Sequence, residues 1–156
     1  MGTSTNGILA YGYDLQALGE GMRFKDLAEY DVPDWIRDAD EDTGWKEFES
    51  AAERRLLDAH GFTETWETRV TEVGYFLREQ AAKTAMGVQI ESHCSSECSM
   101  FLLAAKVMIA RRGFPETVDL TLPDDADERL AWAVEVLGLD VGDQKPRWLL
   151  ASYWGC

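Results

Sequence analysis

Phe101-Leu-Leu-Ala-Ala-Lys-Val-Met-Ile-Ala-Arg-Arg112 is the stretch whose reading decides the fold of this chain. It is apolar on both phases of a two-residue repeat, so its periodicity fits either a buried helix or a strand covered on both faces. The residues before it separate the two. Val88-Gln-Ile-Glu-Ser-His-Cys94 alternates apolar and polar, as a half-buried strand does, and only the turn-like Cys94-Ser-Ser-Glu-Cys-Ser99 lies between. A short turn between two such runs favours an antiparallel pair, with 101–112 as a strand covered on both sides.

Working outward, Gly7-Ile-Leu-Ala-Tyr-Gly-Tyr-Asp-Leu15 reads as a first strand, and Gly12 inside it signals a bulge or a close backbone approach. Arg147 to Trp154 reads as a last strand docked in the sheet, and Val118, Leu120 and Leu122 suggest a further short one. Three helices are expected. Thr43–His60 carries the stripe Trp45, Phe48, Ala52, Leu56 and Ala59, with Asp42 or Thr43 as cap and Gly61 as stop. Thr65–Ala85 carries Trp66, Val70, Val73, Leu77 and Ala81, with Gly74 weakening its start and Gly87 ending it. Pro123–Leu137 turns Leu130, Val134 and Leu137 inward, capped by Asp124 or Asp125 and closed by Gly138 and Leu139. Residues 15–42 read as mostly irregular, with short helical turns. The pattern predicts one domain over 1–156, an α+β fold with an antiparallel sheet of about four strands and helices on one face.

The chain has 156 residues and a net charge of −14. Twelve acids (Asp26, Glu29, Asp31, Asp34, Asp38, Asp40, Glu41, Asp42, Glu47, Glu49, Glu53, Asp58) face four bases (Arg37, Lys46, Arg54, Arg55) between Asp26 and Asp58, so more than half of that charge sits in this run. Direct binding to nucleic acid or to an anionic membrane needs clustered Lys and Arg, and the only adjacent basic pairs are Arg54-Arg55 and Arg111-Arg112. Nothing approaches the roughly 20 apolar residues of a membrane span, and no signal peptide is visible. Three cysteines without an export signal point to a reducing cytoplasm.

Four blocks carry a resemblance: Asn6-Gly-Ile-Leu-Ala-Tyr-Gly-Tyr-Asp-Leu15, Arg54-Arg-Leu-Leu57, Gly87-Val-Gln-Ile-Glu-Ser-His-Cys-Ser95 and Trp148-Leu-Leu-Ala-Ser-Tyr-Trp-Gly155. Together they resemble an uncharacterised group of small acidic proteins from actinobacteria and their phages. The group's Gly-Gly after the opening is replaced here by Gln16-Ala17, which implies a different loop. The resemblance implies a bacterial or phage cytoplasmic setting and action by binding and disabling host proteins. It brings no catalytic residue, cofactor or substrate.

Several constellations bear on chemistry. His93, Cys94 and Cys98, with Cys156 or His60, have the donor types for zinc but lack a second Cys pair, and an extended backbone turns His93 and Cys94 to opposite faces. Cys94 as a nucleophile would need His60 or another base beside it. Asp38, Asp40, Asp42 and Glu49 fall at positions one, three, five and twelve of a calcium loop, but Thr43 stands where that loop needs Gly. Among carboxylates, Glu91 on the Val88–His93 strand is the mildest exception to a solvated role. No phosphate-cradling loop is present. The segment from Trp35 to Glu49 interleaves acids with large apolar side chains, which suits a basic protein surface. Trp45 and Phe48 share the helix stripe and are expected in the core, leaving Trp35 as the better exposed anchor.

The expectation is therefore a non-enzymatic acidic binding protein without cofactor, using Asp34, Trp35, Asp38, Asp40, Glu41 and Asp42 against a basic, nucleic-acid-binding surface of a host protein. The alternatives are a small metalloprotein or enzyme at Cys94 and Cys98 with a His, and a subunit of a homomeric assembly.

Overall fold

The structure, a computed structural model, describes residues 6–16, 21–29, 31–36, 47–93 and 100–152. Strands β1 (Gly7–Asp14), β2 (Gln89–His93), β3 (Met100–Ala110) and β4 (Arg147–Ser152) form one sheet in the order β2-β3-β1-β4. Every neighbouring pair is antiparallel. Helices α1 (Phe48–His60), α2 (Tyr75–Met86) and α3 (Ala126–Leu137) complete an α+β fold. The 101–112 run is the strand β3, and Phe101, Leu102, Leu103 and Ala104 are buried in succession, so both of its faces are covered there.

The β1–β3 register explains why that run is apolar on both phases. Tyr11 pairs with Lys106 and Gly12 with Ala104, so β3 carries one extra residue, Ala105, at a bulge. Before the bulge Phe101 and Leu103 face the helices while Leu102 and Ala104 take the opposite face, and after it Val107 joins that opposite face. A Cβ on Gly12 would stand 1.8 Å from the Leu103 carbonyl oxygen and 2.9 Å from Ala104 Cα. The glycine is thus there for space between two backbones.

The main core lies between the sheet and the helices. Tyr13, Phe101 and Leu103 meet Phe48, Ala52, Leu56 and Leu57 of α1 and Leu130, Ala133, Val134 and Leu137 of α3. Phe48 and Phe101, both fully buried, meet edge to face at 5.0 Å. A smaller cluster of Ile8, Ala10, Leu102 and Ala104 occupies the other face of the sheet. Among the described residues of 21–29 and 31–36 there is one 3-10 turn, Asp34–Ile36, and a Phe24–Leu139 bridge ties the first stretch to the end of α3.

The helices correct several expectations. On α1 the inward stripe is Phe48, Ala52, Leu56 and Leu57, while Ala59 is exposed. The caps Asp42 and Thr43, and Trp45, lie outside the described residues. In α3 Asp125 holds the N-cap position, but its carboxylate accepts from Arg129 Nε at 2.7 Å and makes no cap bond. Gly138, at φ 66°, and the Leu139 N–H to Val134 carbonyl bond close the helix as its sequence suggests. Residues 118–122 form no strand.

The second helix departs most. Gly74 has φ 77°, a left-handed conformation that a helix interior does not allow, so α2 starts at Tyr75. Residues 65–74 form turns and bends and no helix, so the stripe drawn through them has no common axis. Tyr75 and Met86 are the buried residues of α2 instead.

Gly12→Ala is expected to destabilise the fold by about 3 kcal/mol or more, because the neighbour it meets is backbone and not a movable side chain. Urea denaturation of both proteins checks this, and an unchanged midpoint would show that the two strands can separate at no cost.

Candidate functional site

The acidic run does not present itself as one bare surface. Of its described members, Glu29 pairs with Arg23 at 3.2 Å, Glu53 with Lys83 at 2.9 Å and Asp58 with Arg54 at 2.7 Å. Asp34 is exposed. Trp35 is half-buried and not a free anchor: it lies 6.1 Å from both Phe24 and Phe48, with the Arg55 guanidinium 5.4 Å from its ring centre. Position 35 follows Pro33 in an irregular stretch, so nothing in the local pattern signalled that the core would claim it. Asp38, Asp40, Glu41 and Asp42 lie outside the described residues.

Cys94, Cys98 and Cys156 also lie outside the described residues. His60 and His93 are not brought together. His60 shares a shallow cleft with Ala85 and Met86 ahead of β2, edge-on to Trp132 at 6.0 Å, whereas His93 ends β2. Among the described residues no three His, Cys, Asp or Glu side chains converge as a metal site would require. Glu49, the last residue of the calcium-like spacing, is used differently.

Glu49 lines a groove of about 410 Å³ between α1, α2 and β2. Glu53 and Leu56 of α1, Gln80, Lys83 and Thr84 of α2, and Val88 to Glu91 complete most of its wall. Its floor is apolar, from Leu56, Met86, Val88 and Ile90. Burial pushes the Glu49 pKa up, the Ser92 hydroxyl bond opposes this, and the Glu91 and Glu53 carboxylates raise it further. Lys83, the one base on the wall among the described residues, is held between Glu53 and Glu79 at 2.9 and 3.2 Å. A groove that sets apolar side chains beside several carboxylates can hold a cationic head on a methylene stem. Glu91 thus belongs to a shared carboxylate surface, a role its alternating strand pattern could not distinguish from plain solvation.

Beside the groove the surface is apolar. Val70, Val73, Phe76 and Leu77 are 84%, 87%, 66% and 77% exposed, and Trp66 is also exposed. The rings are ordered among themselves. Trp66 stacks on Phe76 at 5.3 Å and 15° and meets Tyr75 at 5.7 Å, and Tyr75 is buried against the body of the protein. The Arg69 guanidinium lies 3.8 Å from the Trp66 ring centre. Most of the stripe expected to face the core is therefore a surface patch of the kind that marks an interaction site.

Comparison with known protein families, with curated proteins and with solved structures gives no match. No helix among the described residues is long and apolar enough to cross a membrane.

Two titrations follow. Glu49→Gln keeps an acceptor for Ser92 and removes one of the clustered charges. Because the folded state raises the Glu49 pKa, the charged form costs stability at neutral pH and the cost disappears as pH falls through that raised value. The variant is expected to melt higher than wild type at pH 7 and equally at acid pH, by calorimetry. Burial lowers the His93 pKa, against the opposing charges of Asp14 and Glu91. The unfolded chain then protonates His93 near 6.5 while the fold does not, so stability falls as pH drops below about 6.5. His93→Gln should flatten that slope, and an unaltered slope would assign it to other groups.

Proposed function

We propose that this chain is a non-enzymatic binding protein that engages a basic surface of another protein. One observation above the others supports this: an acidic molecule of net charge −14 carries Trp66, Val70, Val73, Phe76 and Leu77 on its outside. Apolar anchors with an anionic surround are what a positively charged partner requires, the anchors for affinity and the field for encounter. The acids Asp34, Asp38, Asp40, Glu41 and Asp42 serve in this reading to steer the partner, while Trp35 packs against Phe24 and Phe48. The resemblance to acidic proteins of actinobacteria and phages supports a host protein as the target, including one whose basic site holds nucleic acid.

A homomeric assembly through the same apolar patch is the second reading, favoured by the exposure of Phe76 and Leu77. Light scattering separates it, since a binding protein for a basic partner stays monomeric alone.

The test is capture from an actinobacterial lysate at about 50 mM and 500 mM salt, where screening shortens the reach of charge roughly threefold. Basic proteins retained at low salt and released at high salt are expected, with retention reduced about tenfold when Asp38, Asp40 and Asp42 are changed to Asn. Complexes indifferent to both salt and those substitutions would overturn the proposal.

A further inference from the structure

We infer that the apolar patch and the carboxylate groove are one docking surface, and that its occupant is a basic amphipathic helix of another protein. This rests on the binding reading above and adds where the partner sits and what form it takes.

Three observations join the patch to the groove. Phe76, Gln80 and Thr84 stand four residues apart on α2, so they form one row along its surface. Phe76 belongs to the ring stack, while Gln80 and Thr84 line the groove. The row covers about 12 Å at 1.5 Å per residue, about two turns of a helix lying alongside. A partner helix there would place an apolar side chain on Phe76 and Leu77 and, two turns on, a Lys or Arg over the groove. Its stem would lie on Leu56, Met86 and Val88, and its head would reach Glu49 and Glu91.

The charges choose the partner. The bases around this surface are already committed. Arg78 bonds Glu64 and the Thr71 and Val73 carbonyls, Lys83 holds Glu53 and Glu79, and Arg69 covers Trp66 and bonds its carbonyl. Glu49, Glu67 and Glu72 have no ion-pair partner among the described residues. What remains outward is apolar and anionic. A second copy would bring these carboxylates against their own kind, and a cationic helix would neutralise them. The anchors need little ordering, because Trp66, Tyr75 and Phe76 already hold one another, which lowers the entropy cost of association.

The experiment measures fluorescence anisotropy of two labelled probes, an amphipathic leucine–lysine peptide of about five helical turns and an oligolysine of equal length. Wild type is expected to bind the amphipathic peptide at least about tenfold more tightly than oligolysine at moderate salt. Phe76→Ser with Leu77→Ser should abolish that preference while leaving oligolysine binding unchanged. Glu49→Gln with Glu91→Gln should weaken the peptide about tenfold or more. Phe114→Ser, exposed elsewhere, is the control and should change neither. Equal affinity of wild type and the Phe76/Leu77 variant for the peptide would overturn the surface assignment and leave the acidic-binding reading standing. Absence of binding to both probes would overturn both. Concentration-dependent dimers abolished by the same two substitutions would make the occupant a second copy and overturn this inference.

Discussion

β1 can lie against β3 at Gly12 only because no side chain stands between that residue and the Leu103 carbonyl. The bulge at this point sets which side chains of β3 face the helices. Phe101 and Leu103 are placed in the core shared with α1 and α3, and Lys106, one residue past the extra Ala105, is brought opposite Tyr11. Lys106 then bonds the Thr121 carbonyl at 2.7 Å and pairs with Asp119, holding the segment after β3. Tyr11 donates to Asp127 of α3 at 2.7 Å and packs edge-on against Trp148 of β4. A one-residue slip would exchange the two faces of β3 and lose all of these contacts. The packing of α1 and α3, and through them the groove, depends on that close approach.

The strands were legible because each has a boundary cue and a partner near in sequence or strongly apolar. Val88–His93 and 101–112 are read as a pair from a short turn and a change of period, and the first and last strands from uninterrupted apolar runs. α1 and α3 were legible from their stripes and their closing glycines. α2 was not, and the cause is a single torsion. Periodicity counts residues along an assumed axis, but no helix forms over 65–74 and the real axis begins only after Gly74, which takes a left-handed conformation. Trp66, Val70 and Val73 then match a helical stripe by spacing alone. The short strand expected at 118–122 does not form: alternation names no partner edge, and the segment is held instead by Lys106, which bonds the Thr121 carbonyl and pairs with Asp119.

The candidate site was legible as chemistry and not as place. The excess of carboxylates between Asp26 and Asp58 is plain in the sequence, as is Glu91 on a half-buried strand. What sequence cannot supply is the pairing: Glu53 and Asp58 find Lys83 and Arg54, and Glu49 is turned toward Glu91 across the α1–β2 contact. The same holds for the aromatic residues. Trp35 is drawn inward by Phe24 and Phe48, while Phe76 is left outside because Tyr75 takes the inward position beside it.

The patch around Val70, Val73, Phe76 and Leu77 bears on what the surplus negative charge does between copies of the chain. Bare apolar surface on freely diffusing molecules invites them to coalesce, and like charge on every copy opposes that approach. The anions therefore act as a dispersant that keeps the sticky face available. Neutralising them wholesale, by acid or by multivalent cations, would remove that repulsion and leave the exposed apolar side chains to draw copies together.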